Sequence, residues 1–278
     1  MKLLQFYVDE VIKNAIKEDI NYIDTSADLV IDENDMTTAY FEAKAEGVLC
    51  GLDVALRVFE LLDKDFQAKV YIHDGEKVKK GDIIADLTGH TVLLLKGERT
   101  ALNLLQHMSG IATMTSRAVE HCEGTRASVA DTRKTLPGLR AIQKYAVTVG
   151  GGRNHRFNLS DAVMLKDNHI DACGSITKAV AKCREKLGHM VKIEVETRNL
   201  DEVAEALSTG VEVIMLDNMD CETMKKAVEM TDGKALLEAS GNITDETICF
   251  VAQTGVDIIS IGALTHSVKA FDISMKIK

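Results

Sequence analysis

The stretch VKIEVETRNLDEVAEALSTGVEVIMLD, residues 191–217, holds one complete repeat of the fold. An apolar run (191–196) leads through a polar turn into a segment with helical apolar spacing (200–208), and a second apolar run (211–217) follows. Both runs are nearly continuous in apolar character, as strands are when both faces are covered. Strand, helix and strand in that order predict a right-handed crossover between parallel neighbours. Outward from this stretch the pattern recurs. KALLEAS (234–240) and VDIISIG (256–262) lie downstream, and ASVAD (127–131) and DAVMLKD (161–167) upstream. Further helices are predicted at about 174–187, 220–230 and 244–253. No Gly-x-Gly-x-x-Gly follows the first run, so the alternation predicts an α/β barrel rather than a dinucleotide-binding sheet.

The runs end in Asp131, Lys166 with Asp167, Glu196, Asp217, Ser240 and Gly262. The C-terminal strand ends of an α/β barrel form its active-site face, so these residues mark a candidate site. The last two ends continue as Ser240-Gly241-Asn242 and Ile261-Gly262-Ala263. Small residues there let backbone N–H groups approach a phosphate.

The first 95 or so residues read differently. A helix is predicted over 5–18, with Val8, Val11, Ile12, Ala15 and Ile16 at helical spacing, and another over 52–62. Short strands are predicted in AYFEAKAEGVLCG (39–51) and KVYIHDG (69–75). GEKVKKGDIIADLTG (75–89) resembles the hammerhead turns of biotinyl and lipoyl carriers, without the lysine those carriers modify. It predicts a small half-barrel of strands with its basic turn in solvent.

Composition narrows the function. Of 278 residues, 46% are hydrophobic and 27% charged, as in ordinary globular proteins. The N-terminal stretch meets acids at Asp9 and Glu10 and shows no apolar signal core, which predicts a cytoplasmic protein. Six cysteines without a C-x-x-C pair predict free thiols, and eight histidines without metal spacing argue against zinc. The net charge of −10 argues against nucleic acid as a general partner. Yet residues 96–166 carry eleven Lys/Arg against five acids, an island suited to a small anionic ligand.

That island contains four motifs. In ERTALNLLQHMSGIAT (98–113), Arg99 starts a predicted helix and is either a ligand or a partner of Glu98. In DTRKTLPGLR (131–140), Arg133 and Lys134 follow a strand end directly. Two like charges about 4 Å apart repel by roughly 4 kcal/mol at an effective dielectric of 20, a cost that a bound dianion reverses. In GGGRNHRF (150–157), His155 and Arg156 emerge from three glycines, which favours a ligand role for His155. In MLKDNHI (164–170), Lys166 shares a strand face with Met164 and is either a Schiff-base nucleophile or a fixed cation. Asp167, Asn168 and His169 are candidate caps of the following turn. Opposite these cations stand acids. Glu194 and Glu196 share a strand face, with Glu196 nearer the mouth if both point inward, and Asp217 ends the next strand. Cations suit carboxylates or phosphates; acids suit sugar hydroxyls and Mg²⁺.

Taken together, ERTALNLLQHMSGIAT, DTRKTLPGLR, KYAVTVGGGRNHRFNLSDAVMLKDNHI, the E-V-E strand, LDN, EASGNI and SIGALTHS closely resemble the motifs of the quinolinate phosphoribosyltransferase family, in that family's order. The resemblance implies an N-terminal α/β sandwich domain (1–98, joined by 265–278) and an incomplete, TIM-like α/β barrel (99–264). It implies transfer of phosphoribosyl from phosphoribosyl pyrophosphate to quinolinate with decarboxylation, giving nicotinate mononucleotide, with Mg²⁺. It implies a homodimer in which Arg99 reaches the neighbour's site. Carried over residue by residue, Arg133, Lys134, His155, Arg156 and Lys166 would hold the quinolinate carboxylates and Thr132 would bind substrate, with Lys134, Lys166, Glu196 and Asp217 catalytic. Glu196 and Asp217 would take ribose hydroxyls and help place Mg²⁺. Ser240, Gly241, Asn242, Ile261, Gly262 and Ala263 would take phosphate. His266 and Ser267 match the family's LTHS without an assigned role. The stretch EDINYID (18–24) departs from the family, which usually has a glycine and an aspartate soon after E-D. Three alternatives stand beside this reading. They are the related molybdenum-transport-associated family, which usually lacks the K-D-N-H found here at 166–169; a Schiff-base aldolase using Lys166; and a non-enzymatic carrier based on 75–89.

Overall fold

The six apolar runs form one parallel sheet. In spatial order its strands are Ser128–Ala130, Ile258–Ser260, Leu236–Ser240, Val213–Asp217, Ile193–Thr197 and Val163–Leu165. The structure, a computed structural model, describes residues 2–278. Register places Met164 beside Glu194, Glu196 beside Met215, Asp217 beside Ser240 and Ser240 beside Ser260. The two terminal strands do not pair with each other, so the barrel is incomplete. Beyond Ala130 the edge is extended by Arg153, whose N–H donates to Val129 O while its carbonyl accepts from Asp131 N.

The crossover helices run Ile176–Arg184, Leu200–Ser208, Cys221–Thr231 and Ile248–Ala252; the second matches its sequence pattern, the third is shifted by one residue, and the first and last are shorter than theirs. The first three start on side-chain caps. Ser175 Oγ accepts from Lys178 N, Asn199 Oδ1 from Glu202 N and Asp220 Oδ1 from Thr223 N. Each cap satisfies an N–H that the helix itself leaves without a partner. Strand residues Ile193, Val195, Ile214, Leu216, Leu237, Ala239 and Ile259 are buried against this outer layer. Their alternates, among them Glu194, Glu196, Asp217, Glu238, Ser240 and Ser260, lie on the opposite sheet face. These elements belong to a unit made of Arg117–Lys134 and Gly152–Gly262.

A second unit gathers the chain up to Ser116, Thr135–Gly151 and Ala263–Lys278. Its antiparallel sheet has the order Ile273–Ile277, Met36–Ala43, Ile83–His90, Gln67–Val70. The C-terminal strand therefore pairs with the first, Phe41 opposite Met275. The helices Gln5–Asp19 and Leu52–Leu62 pack together, and Phe59 of the latter stacks near Phe41 and Phe66. Asp74 accepts from Gly51 N and Leu52 N and so starts the second helix.

The helix carrying Arg99 runs without a break from Thr91 to Glu120, so Arg99 stands in its third turn and not at its start. Ala101, Leu102, Leu104 and Leu105 are buried as their spacing predicts. The expected domain boundary at 98/99 falls inside this helix. The helix Arg140–Val149, inside the span expected to be barrel, packs instead with the first 116 residues. Gln143, fully buried, holds it there. Its amide nitrogen contacts His107 Nε2 at 2.8 Å and donates to Thr265 O, and its amide oxygen accepts from Leu136 N. A buried amide that satisfies three groups fixes a loop more firmly than its local sequence suggests. Among the described residues no helix is long and apolar enough to cross a membrane.

Candidate active site

At the C-terminal ends of the parallel strands lies a cavity of about 560 Å³. Thr132, Arg133, Lys134, His155, Arg156, Lys166, Glu196, Asp217, Ser240, Gly241 and Asn242 line it, all of them site residues expected from sequence. Met164, Met215, Asn218, Glu238 and Ser260 complete the lining. Ile261, Gly262, Ala263 and Arg99 are not part of it. Ile261 is buried with its N–H given to Ala130 O, Ala263 opens a short helix to His266, and Arg99 is exposed on its own helix.

The cationic wall is built from three chain segments. Thr132 Oγ1 accepts from Lys134 N, which turns the chain just past the first strand and presents Arg133 and Lys134 to the cavity. Asp131, which ends that strand, does not enter the cavity. It is fully buried, and its two oxygens accept from His155 N at 2.8 Å and Asn154 Nδ2 at 2.6 Å, so it anchors the glycine-rich loop. Arg156 gives its guanidinium N–H groups to Ala162 O and Met164 Sδ. Burial, and then the nearby Arg133 charge, push the Arg156 pKa down. Two guanidinium groups held this close favour an anion between them. Lys166 precedes the helix Asp167–Cys173, and its N–H donates to His169 Nδ1, so His169 caps that helix start.

The acids were expected on the opposite side from the cations, but one pair meets. Lys166 Nζ lies 2.6 Å from Glu196 Oε2. Lys166 remains about half exposed, so solvent screens the pair and a substrate anion can compete for the lysine. Asp217 Oδ2 accepts from Asn218 Nδ2, and Asn218 Oδ1 accepts from Asn242 Nδ2. Asn218 and Asn242 both have positive φ, 54° and 50°, and Gly241 has φ 99°. A Cβ on Gly241 would lie 2.2 Å from Asn218 Oδ1, so only glycine permits this approach. The left-handed turn of Ser240–Asn242 is thus locked to the strand end bearing Asp217.

In the cavity wall, His155 Nε2 lies 3.1 Å from Glu194 Oε2 and 3.6 Å from Glu238 Oε1. Burial, and then the Glu194 charge, push Glu238 up to about 7. Sequence reading missed Glu238 because it sits inside an apolar run, KALLEAS. Its position two residues before Ser240, on the same strand face, was the available signal. Asn218 lay unremarked inside the LDN motif.

An incomplete α/β barrel with clustered cations facing acids and a glycine-bearing turn defines an anion-handling barrel enzyme. Family comparison makes this particular. The profile for the N-terminal domain of quinolinate phosphoribosyl transferase matches residues 24–109, and that for the C-terminal domain matches 111–276. The chain belongs to the quinolinate phosphoribosyltransferase family of pentosyltransferase enzymes. It is 44% identical to a probable nicotinate-nucleotide pyrophosphorylase (carboxylating) of Bacillus subtilis over 96% of this chain and 92% of that one. It is 42% identical to a quinolinate phosphoribosyltransferase (decarboxylating) of Nicotiana tabacum, over 96% of this chain and 81% of the relative. The crystal structure of NadC from Streptococcus pyogenes superposes with a TM-score of 0.96 at 44% identity, covering 99% of this chain and 98% of that one.

Proposed function

We propose that this protein transfers the phosphoribosyl group of phosphoribosyl pyrophosphate to quinolinate, releasing pyrophosphate and CO₂ and forming nicotinate mononucleotide for NAD biosynthesis. The observation that carries the reading is the gathering of Arg133, Lys134, Arg156 and Lys166 in one cavity with Glu196, Asp217 and the Ser240–Asn242 turn. The cations would hold the two carboxylates of quinolinate and orient its ring nitrogen toward the ribose C1 carbon. A bond forms between nitrogen and carbon as the bond to pyrophosphate breaks. Loss of CO₂ from C2 leaves its electron pair beside a cationic ring nitrogen, where a proton then replaces it. Positioning and fixed charge supply most of the catalysis.

Glu196 and Asp217 would hold Mg²⁺ together with substrate oxygens. The donor set fits a hard cation, since Lys166 and Asn218 engage one oxygen of each carboxylate and leave it a second. When bound, the ion would supply charge neutralisation at the departing pyrophosphate. We further read the enzyme as a cytoplasmic homodimer in which Arg99, absent from the cavity lining, completes the neighbour's site. The free cysteines support a reducing compartment.

The test is an assay of purified protein with quinolinate, phosphoribosyl pyrophosphate and Mg²⁺, following nicotinate mononucleotide and pyrophosphate. Nicotinate, which lacks one carboxylate, should turn over at least about a hundredfold less efficiently, because a site built for two charges is left with one unpaired. Comparable turnover of nicotinate would refute the assignment.

A further inference from the structure

Glu194 and Glu238 are buried acids, 6% and 2% exposed, that the proposed chemistry does not use. They stand on strands separated by the one carrying Met215, yet both approach the same imidazole nitrogen, Nε2 of His155, Glu194 within hydrogen-bond distance at 3.1 Å and Glu238 just beyond it at 3.6 Å, as a nearby carboxyl only. The other ring nitrogen, Nδ1, accepts from Arg156 N at 2.7 Å. An Nδ1 that accepts has no proton, so Nε2 carries it and donates toward Glu194 Oε2. The ligand atoms of these three side chains lie within 4.8 Å of one another, close enough to suggest a metal. A metal on Nε2 would move the ring proton to Nδ1, directly against the Arg156 N–H. The hydrogen-bond pattern therefore favours a held proton over a held metal.

We propose that Glu194 and Glu238 are positioning residues, which hold His155 as the Nε2–H tautomer and thereby fix the Arg156 end of the cationic wall. His155 Nδ1 takes the Arg156 backbone N–H, and Asp131 takes the His155 backbone N–H. If the imidazole turns, the Arg156 backbone loses its acceptor, and the cavity-lining guanidinium keeps Ala162 O and Met164 Sδ but is carried by a backbone no longer fixed at His155. Asp217 and the Ser240–Asn242 turn are held by a separate network through Asn218. Loss of the acidic pair should therefore weaken the carboxylate substrate and spare the phosphoribosyl donor. The inference rests on quinolinate being that substrate.

The experiment compares wild type, Glu194→Gln, Glu194→Leu and Glu238→Leu by steady-state kinetics and by ¹⁵N spectroscopy of the histidine rings in the full-length protein. The Gln amide oxygen can accept the same Nε2–H, whereas Leu cannot. Glu194→Leu should raise KM for quinolinate about tenfold or more, the usual effect of losing a charge-assisted hydrogen bond, with KM for phosphoribosyl pyrophosphate nearly constant. Glu194→Gln should return to within about threefold of wild type. Glu238→Leu, which removes a neighbouring carboxyl rather than a hydrogen bond, should move the same constant in the same direction but by less than Glu194→Leu. The His155 ring should be the Nε2–H tautomer in wild type and in Glu194→Gln. Equal rises in both KM values, no rise for quinolinate, or an Nδ1–H ring in wild type would each overturn the proposal. The ring spectrum needs no substrate and no Leu variant. A wild type that fails to use quinolinate would thus count against the proposed function, while the spectrum still decides the positioning claim.

Discussion

Replacing Glu238 by Gln removes one member of a buried acidic pair, Glu238 and Glu194. In the folded protein burial and Glu194 push this carboxyl up to about 7, from an ordinary value of 4.5. The folded state therefore holds the proton more tightly than the unfolded chain does. Below the unfolded value both states are protonated and nothing is lost. As pH rises from there toward 7 the unfolded chain ionises first, so stability falls until the folded carboxyl ionises as well. At about 1.4 kcal/mol per pKa unit the full loss is about 3 kcal/mol, roughly 2 kcal/mol of it between pH 5 and 8. Glu238→Gln has the same shape and no charge to bury. Its stability relative to wild type should therefore improve by roughly 2 kcal/mol between pH 5 and 8, whatever constant offset the amide introduces. Guanidinium denaturation of both proteins at several pH values across that window reads the difference directly. A difference independent of pH would mean that Glu238 ionises normally in the fold, and the argument from burial would fail.

Gly241→Ala should weaken phosphoribosyl pyrophosphate binding by about tenfold or more by calorimetry, because the added Cβ meets Asn218 Oδ1 at 2.2 Å with φ at 99°. Asp220→Ala removes a helix cap three residues past Asp217 that does not itself line the cavity, and should cost about 1 kcal/mol in denaturation with kcat nearly unchanged. Mixing Arg99→Ala with Arg133→Ala protein, each inactive alone, should restore roughly a quarter of wild-type activity if sites are shared across a symmetric dimer. With subunit exchange confirmed by tagged pull-down, a mixture that stays inactive would end the shared-site reading.

The order of strands and helices in the barrel was legible because burial of both sheet faces leaves continuous apolar runs, and the polar residue ending each run was visible beside them. Lys166, Glu196, Asp217 and Ser240 were found this way, and all four line the cavity. Asp131 was found by the same rule and does something else: it binds the backbone at His155 rather than facing the cavity. A strand end marks where a side chain starts, and only its partners show where it goes.

The parallel α/β architecture, the family and most of the cavity wall depend on local periodicity and on motifs contiguous in the chain, and so can be read before folding is known. Tertiary structure decided the rest. It placed the helix Arg140–Val149 with the N-terminal unit through the buried amide of Gln143, whose three partners come from segments as far apart as His107 and Thr265. It paired Lys166 with Glu196, thirty residues later in the chain. It brought Glu238 and Glu194 to one imidazole and so shifted a carboxyl that looks ordinary in KALLEAS. Such effects arise from burial and charge at distances of a few ångströms, and sequence separation carries no record of those distances until the chain is folded.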